Sequence, residues 1–194
     1  MEFFLTALLA YLLGSVPFGL VMARLFGLGD IRAIGSGNIG ATNVLRTGHR
    51  PAALLTLIGD AGKGAVAVLL ARWWVGESAA GIAGLGALLG HLFPLYLGFR
   101  GGKGMATYLG TLLALSFWLG AAACATWAVV AVILRISSLA ALAAAVLAPV
   151  FALIFYHWHG AVLVAGMSLL VIFKHRANIA RLRAGTEPRI GGGK

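Results

Sequence analysis

Two segments of this sequence combine glycines with polar and basic side chains in a pattern that suits phosphate binding. The first segment contains, in order, Gly35, Ser36, Gly37, Asn38, Gly40, Thr42, Asn43 and Arg46. Glycines let backbone N–H groups converge on an anion, amides and hydroxyls add neutral hydrogen bonds, and an arginine adds a charged fork. The alternative is an ordinary polar turn, although a connection of about 22 residues is long for one. A dinucleotide fold also has G-x-G-x-x-G, but it needs a preceding β-strand, and an apolar run stands there instead.

The second segment is a Gly-Gly-Lys-Gly turn that precedes a long apolar run containing Thr107. The turn consists of Gly101, Gly102, Lys103 and Gly104. If it opens a helix, the helix N-terminus offers unbonded N–H groups and a partial positive charge, to which the lysine adds a full charge. It is not a Walker A loop, because Leu97 stands where that motif needs glycine. The alternative is a flexible basic turn at the cytoplasmic face.

A third polar segment follows the last apolar run. On a helix His175, Asn178 and Arg181 would share one face. A His–Asn pair there could donate hydrogen bonds to a phosphate or a carbonyl, and the alternative is a patch that binds anionic lipid headgroups. The residues alone leave both open for this pair. We favour lipid binding for the other arginines of the segment: Arg176, Arg183 and Arg189.

The elements that must hold these segments are membrane-spanning helices. Of the 194 residues, 61% are hydrophobic and 10% are charged, against about 25% charged residues in soluble domains. A soluble fold of this length could not bury so much apolar surface, so we expect lipid to be its solvent. The N-terminal run lacks the basic start of a signal peptide and outlasts its apolar core, so we expect a retained first span.

The charges limit the possible functions. Lys and Arg number 15 against 5 acidic residues, a formal net charge of +10. In a membrane protein this excess indicates positive-inside loops, anionic headgroups and anionic substrates, and we predict no nucleic-acid partner. The acidic residues are too scattered to hold a metal pair: Glu2, Asp30, Asp60, Glu77 and Glu187. Cys124 is the single cysteine, which excludes a disulfide framework.

Charges and turn residues divide the apolar sequence into predicted spans. Five lie at about residues 3–25, 52–74, 79–98, 137–156 and 160–174, the last of which can run on as a helix. The uncharged stretch between Lys103 and Arg135, about 30 residues, is too short for two full spans and too long for one. We predict two short helices there, at about residues 105–117 and 120–134. The predicted fold is therefore an all-α polytopic membrane bundle of about seven transmembrane helices, forming a single domain over residues 1–194.

Charge placement predicts the topology of that bundle. With seven spans and the N-terminus outside, the C-terminus is cytoplasmic, and 13 of the 15 basic residues lie on the cytoplasmic side. They are Arg24, Arg32, Arg46, Arg50, Arg100, Lys103, Arg135, Lys174, Arg176, Arg181, Arg183, Arg189 and Lys194. Only Lys63 and Arg72 are left elsewhere. Merging the uncharged stretch into one span would place Arg135 and the C-terminal cluster outside.

Three ionisable residues lie within the predicted spans. Asp60 and His91 are both about 12–14 Å from the cytoplasmic face at 1.5 Å per residue, so they can touch, and Lys63 lies one turn deeper. Charged groups at such depth face the bundle interior and are candidates for function. The alternative is an Asp60–Lys63 pair that only ties helices together.

Together these motifs resemble the PlsY-type acyl-phosphate:glycerol-3-phosphate acyltransferases. The resemblance lies in residues 36–43, residues 90–94 with 99–104, and residues 175–187 with their His-x-x-Asn and Gly-x-Glu patterns. Residues 60–64, Asp-Ala-Gly-Lys-Gly, match the family as well. Three long motifs in order, without departure, make the resemblance specific over about residues 14–187.

The resemblance implies an enzyme that moves a fatty acyl group from acyl phosphate to the 1-hydroxyl of sn-glycerol 3-phosphate. The products would be lysophosphatidic acid and phosphate, the first step of phospholipid synthesis in the bacterial inner membrane, with the active site facing the cytoplasm. It implies no cofactor and no metal. The expected partners are acyl phosphate, glycerol 3-phosphate and membrane lipid. The sequence does not set the oligomeric state, for which we take a monomer.

The motif match also assigns roles. Ser36, Asn38 and Arg46 would hold a phosphate, with Gly37, Gly40, Thr42 and Asn43 as further substrate-binding residues of their loop. Lys103 and the backbone of Gly101, Gly102 and Gly104 would neutralise the acyl phosphate beside Thr107. His175 and Asn178 would orient glycerol phosphate, and Asp60, Lys63 and His91 would support the site from within the bundle.

No histidine is followed by a carboxylate at His-x-x-x-x-Asp spacing, so we expect no carboxylate base. Positioning and charge neutralisation would then supply the acceleration.

The residues leave three other function classes to weigh. An anion transporter needs polar residues through the full bundle depth, whereas here they crowd one half. A CDP-alcohol phosphotransferase needs several aspartates for metal, and a non-catalytic scaffold leaves the three motifs unexplained.

Overall fold

The computed structural model describes residues 1–191, and every regular element within them is helical. The predicted all-α class is confirmed. Lys194, which the topology prediction counted among the cytoplasmic residues, lies outside the described residues. The α-helices are α1 Glu2–Gly14, α2 Phe18–Leu25, α3 Ala41–Leu45, α4 Arg50–Trp74, α5 Glu77–Leu92, α6 Met105–Leu115, α7 Phe117–Leu134, α8 Ser137–Phe155, α9 Trp158–Lys174 and α10 Arg176–Arg183.

Most of these helices are suited to a membrane. Among the described residues, five stretches are long and apolar enough to cross one: Glu2–Leu25, Arg50–Trp74, Glu77–Leu97, Phe117–Leu134 and Ser137–Phe155. A sixth is Trp158–Lys174 joined to Arg176–Arg183 across a 61° bend, and Met105–Leu115 is a shorter apolar helix. A polytopic helical bundle is therefore confirmed, while the count of seven and the side of each terminus stay predictions.

The chain forms two compact units, of which the first is Met1–Leu115. Its central helix is α4, which packs against each of the other helices of the unit. Small residues allow α1 and α5 to approach closely, because a methyl group at Gly86 or Gly90 would collide with backbone atoms of α1. The small residues of α5 thus serve helix packing.

The first predicted span is interrupted. Pro17 has no N–H to continue the helix and holds the preceding residue away from helical geometry, so α1 ends at Gly14 and α2 begins at Phe18. The predicted span of residues 3–25 thus consists of two helices, and the whole stretch Glu2–Leu25 is still one candidate span. Helix α2 lies close to the first polar segment, because a methyl group at Gly19 would collide with the carbonyl of Ile39.

The second unit begins at Ser116. Ser116 is a single extended residue between α6 and α7, and Arg135 adopts a left-handed conformation, φ 55°, between α7 and α8. Helix α8 packs against α7 and α9 and buries a row of alanines: Ala140, Ala141, Ala144, Ala145, Ala148 and Ala152. The uncharged stretch does form two helices, of 11 and 18 residues, as predicted. The break falls at Ser116.

Candidate functional site

The first polar segment is organised around one buried side chain. Asn43, 1% exposed, donates from Nδ2 to the carbonyl of Ile31 at 2.7 Å. Its Oδ1 accepts from the backbone N–H of Ser36 at 3.2 Å and from Arg46 Nη1 at 3.0 Å. Both ends of the amide are therefore used within the loop. Asn43 thus shapes the loop, and its predicted contact with substrate stays a prediction.

Arg46 lies across this loop with its guanidinium exposed. A methyl group at Gly35, whose φ is +54°, would lie 2.7 Å from Arg46 Nη1, so glycine is needed both for the turn and for the arginine's path. The other predicted residues of the loop lie near its surface: Ser36 and Gly37 are exposed, and Asn38, Gly40 and Thr42 are half-buried. The loop thus offers one cation and several neutral donors on an accessible face.

The Gly-Gly-Lys-Gly turn opens a helix, as predicted. Gly104, with φ +83°, directly precedes the first residue of α6, and Lys103 beside it is half-buried. We call residues 101–104 the lysine turn. The 3-10 helix Leu95–Leu97 precedes it, and Leu97 packs on the apolar cluster beneath the first loop. The segment that leads into the lysine turn therefore shares an apolar cluster with the first loop.

The predicted meeting of Asp60 and His91 is confirmed. Asp60 Oδ1 lies 3.5 Å from His91 Nδ1 and 2.9 Å from Lys63 Nζ. These residues are 2%, 5% and 3% exposed, respectively. The backbone of Gly102 in turn donates to the carbonyl of His91 at 3.1 Å. The buried charges consequently adjoin the lysine turn.

Thr107 stands on the first turn of α6 and is fully buried against α4, where Gly64 leaves room for it. Within residues 1–191 its hydroxyl has no hydrogen-bond partner. A burial of this kind points to helix packing. The predicted contact of Thr107 with substrate stays a prediction.

The C-terminal segment of the second unit is organised by Glu187. Its Oε1 accepts from Ser138 Oγ at 2.6 Å and from Asn178 Nδ2, and its Oε2 accepts from Arg181 Nε at 2.7 Å. Burial opposes ionisation of this carboxyl, but the three hydrogen bonds and the arginine charge outweigh it and hold the pKa of Glu187 below its ordinary value. Glu187 belongs to the Gly-x-Glu pattern of this segment, but no spacing in the sequence predicts that it accepts from these three side chains.

This arrangement changes what Asn178 can offer. Its Nδ2 was predicted to donate to a substrate, and that donor is engaged by Glu187. Its Oδ1 is buried and has no hydrogen-bond partner among the described residues. His175, 3% exposed, lies at the bend between α9 and α10 with Nδ1 2.8 Å from the carbonyl of Val171. In the described part of the chain, Asn178 therefore keeps one buried acceptor without a partner, and its predicted contact with substrate stays a prediction.

Acidic side chains in this structure are paired with bases. Asp30 lies 2.9 Å from Arg32, Asp60 2.9 Å from Lys63, Glu77 2.6 Å from Arg72 and Glu187 2.7 Å from Arg181. The fifth, Glu2, is the first residue of α1. Among the described residues, no unpaired carboxylate thus lies beside the first loop or the lysine turn to act as a base.

Comparison with known proteins gives a consistent result. The chain matches the sequence model of the family described as glycerol-3-phosphate acyltransferase over residues 4–185. A protein of that name from Jannaschia sp. (strain CCS1) is 62% identical over 187 residues, 96% of this chain and 92% of that one. Another from Ruegeria sp. (strain TM1040) is 63% identical over 183 residues, 94% of this chain and 91% of that one.

Two crystal structures share the fold. They are of PlsY (YgiH), an integral membrane glycerol 3-phosphate acyltransferase, in its glycerol 3-phosphate and lysophosphatidic acid forms. The first has a TM-score of 0.92 and 36% sequence identity, and the second 0.90 and 35%. Each alignment covers 98% of this chain and 96% of the other.

Proposed function

Because this chain belongs to the glycerol-3-phosphate acyltransferase family, we propose that it transfers a fatty acyl group from acyl phosphate to the 1-hydroxyl of sn-glycerol 3-phosphate. The hydroxyl oxygen bonds to the acyl carbon, the bond from that carbon to the phosphate oxygen breaks, and the hydroxyl proton passes to the phosphate of the glycerol 3-phosphate itself. The products are 1-acylglycerol 3-phosphate and inorganic phosphate. We place this integral membrane enzyme in the bacterial inner membrane, with its active site facing the cytoplasm.

The observation that carries the proposal is the lysine turn at the start of α6. Gly104, with φ +83°, lets the turn lead directly into α6, the helix N-terminus adds a partial positive charge, and Lys103 adds a full one. We assign this turn to the phosphate of the acyl donor. Negative charge grows on that phosphate as it leaves, and fixed positive groups lower the barrier most where charge develops.

The first loop supplies a second anion site in our proposal. Ser36, Asn38 and Arg46 bind phosphate there, and the backbone at Gly37 and Gly40 is accessible from the same face. The bond from Arg46 to Asn43 fixes the guanidinium before substrate arrives, so less conformational freedom is lost on binding.

In this mechanism no protein carboxylate serves as general base. The paired acidic side chains described above support that choice, since each would have to leave a basic partner before it could take a proton. Acyl phosphate already has a good leaving group, and the acceptor's own phosphate can take the hydroxyl proton. Positioning and charge neutralisation then supply the acceleration.

From the motif resemblance we further propose that His175 and Asn178 orient glycerol phosphate. The free acceptor of Asn178 suits a glycerol hydroxyl. Replacing Asn178 with Asp keeps an acceptor but brings a second carboxylate next to Glu187. We expect Asn178→Asp to be less active than the wild type, and a fully active variant would argue against this role.

The decisive experiment uses purified protein, palmitoyl phosphate and glycerol 3-phosphate, without CoA or divalent metal. We expect lysophosphatidic acid by mass spectrometry. Lys103→Ala and Arg46→Ala should each lower kcat/KM by about 10²-fold or more. Arg24→Ala removes an exposed cation from the last turn of α2 and is the matched control. Near-normal turnover in both variants would refute the assignment.

A transporter of phosphorylated small molecules is the alternative function. Transport through the bundle requires polar groups along its full depth. In the described part of the first unit, the end of α4 away from the loops has one polar cluster, Arg72 with Glu77, and Arg72 is engaged by the carbonyls of Ala114 and Leu115. Flux of labelled glycerol 3-phosphate into sealed vesicles without acylation would reverse this ranking.

A further inference from the structure

A buried charged cluster joins three parts of the first unit. Lys63 Nζ lies 2.9 Å from Asp60 Oδ1 and donates a 2.8 Å hydrogen bond to the carbonyl of Val16, in the break between α1 and α2. On the other side Asp60 Oδ1 meets His91 Nδ1, near the end of α5, at 3.5 Å. A carboxylate removed from water in this way is held by its charged and hydrogen-bonding neighbours. The position of the His91 ring is therefore tied to α4.

The same imidazole limits the room available to the lysine turn. A methyl group at Gly102 would collide with His91 Nε2, and one at Gly101 would collide with the carbonyl of His91. The hydrogen bond from Gly102 to His91 holds the turn at this close approach. The ring thus forms one wall of the turn that precedes α6.

We infer that His91 is a positioning residue for acyl transfer. Fixed by Asp60, its imidazole holds the lysine turn at the height where Lys103 and the N-terminus of α6 face the acyl phosphate. The inference rests on the proposed function and adds to it the reason why Gly102 must be glycine. Lys63 connects this wall to the α1–α2 break.

The competing explanation is that the cluster only ties helices together. On that view loss of the imidazole lowers stability, while the turnover of each folded molecule stays unchanged. On ours, turnover falls because the turn loses its wall and Lys103 moves. The two views also differ on Gly102: only a steric wall predicts that shortening His91 makes room for a larger residue there.

A double-mutant cycle separates these views. It compares wild type, Gly102→Ala, His91→Ala and the double variant, with kcat/KM referred to folded protein by size-exclusion chromatography. We expect losses of about 10²-fold for Gly102→Ala and about tenfold for His91→Ala, since small misplacements of charged groups cost this much. The double variant should lose about tenfold, whereas independent effects would multiply to about 10³-fold.

Gly62→Ala is the matched control, because Gly62 lies between Asp60 and Lys63 on α4 with open space where a methyl group would be. It should keep kcat/KM within about twofold. In His91→Ala we expect kcat to fall while KM for glycerol 3-phosphate changes little, as for an interaction made in the transition state. Wild-type kcat in His91→Ala, or multiplicative losses in the double variant, would overturn the inference.

Unfolding temperatures of the same four proteins test the steric claim without turnover. Gly102→Ala should unfold at a lower temperature than wild type. In the His91→Ala background the same methyl group should lower the unfolding temperature by less. If wild type makes no lysophosphatidic acid but the unfolding temperatures show this coupling, the proposed function fails and the wall stands. If wild type is active and the coupling is absent, only the wall fails. Should His91→Ala not fold, His91→Asn, which keeps a polar group toward Asp60, replaces it in the cycle.

Discussion

Helix α4 contributes basic side chains to two ion pairs of different exposure, one at its middle and one in its last turn. Lys63 and Asp60, 2.9 Å apart, have side chains only 1% and 2% exposed, and they adjoin the lysine turn. Arg72 and Glu77, 2.6 Å apart, are 31% and 56% exposed. The guanidinium of Arg72 also donates to the carbonyls of Ala114 and Leu115, which end α6. Helix α4 thus holds the start of α6 through the buried Asp60–Lys63 cluster and the end of α6 through the accessible Arg72 pair.

The difference shows how a membrane protein uses scarce charge. An accessible ion pair adds little to the free energy of unfolding, because water and salt compete for both partners. A buried pair stabilises only as long as it is complete, because each partner alone is a charge out of water. We conclude that the Arg72 pair caps a helix and that the Lys63 pair fixes the relative placement of three elements. Four predictions test this comparison.

The largest effect is expected for Lys63→Met. It leaves the Asp60 carboxylate buried without its ammonium and removes the donor to Val16. We expect a loss of about 3–5 kcal/mol in the free energy of unfolding, measured by denaturant titration in detergent. The double variant Asp60→Asn with Lys63→Met should recover part of it. A loss no greater than that of the exposed pair would break the comparison.

Gly64→Ala should come next. The methyl group would lie 2.5 Å from the carbonyl of Thr107 and 2.6 Å from Thr111 Oγ1, so α4 and α6 must separate. Overpacking of this kind costs about 1–3 kcal/mol. Gly62→Ala, two residues earlier with open space, should be neutral or slightly stabilising. Equal unfolding temperatures for the two variants would show that α6 is not held closely along α4.

Arg72→Ala should cost less, about 1 kcal/mol, since the pair is accessible and salt competes with it. The difference from wild type should shrink between 0.1 and 1 M salt, roughly a fall from 10 to 3 Å in screening length. The deficit of Lys63→Met should not shrink. Turnover per folded molecule should stay normal in Arg72→Ala, and a large loss of kcat would contradict a capping role.

The smallest effect concerns Glu187, a carboxylate 7% exposed beside an arginine 35% exposed. Its hydrogen bonds hold the pKa of Glu187 below its ordinary value despite burial. The unfolded state therefore binds the proton first, and the stabilisation, full above about pH 4.3, is lost as pH falls through the folded-state value. Unfolding temperatures of wild type and Glu187→Gln should differ at pH 7 and converge at low pH. A gap that widens in acid would contradict the shift.

Much of this fold can be predicted because lipid imposes a simple rule on sequence. Runs without charge mark helices, and charges mark their ends, so five predicted spans and the two short helices match the observed ones within a few residues. The interruption at Pro17 was missed, since the stretch around it contains no charge and the spans were delimited by charges and turn residues. The exact break at Ser116 also depends on packing, because Arg72 from another helix ends α6 there.

The site was predictable in its residue types and less so in its contacts. Equal depth correctly placed Asp60 beside His91. The bond from Lys63 to Val16 joins residues 47 positions apart, and a sequence pattern does not pair residues so far apart. Asn43 and Asn178 give hydrogen bonds to their own loop or segment, and their predicted contacts with substrate stay predictions. An amide does both equally well, and only the fold decides between them.

The position of the lysine turn along α4 affects how its two substrates would reach it. Through His91 the turn sits level with Asp60, ten residues from the Arg50 end of α4, which is about 15 Å of helix and roughly half of a bilayer's hydrocarbon thickness. A lipid-borne donor can deliver its phosphate to that level by sideways diffusion, with its tail still among other tails. Glycerol 3-phosphate, by contrast, is water-soluble and would have to reach the same level from the aqueous phase. The two substrates of the proposed reaction would therefore arrive from different solvents.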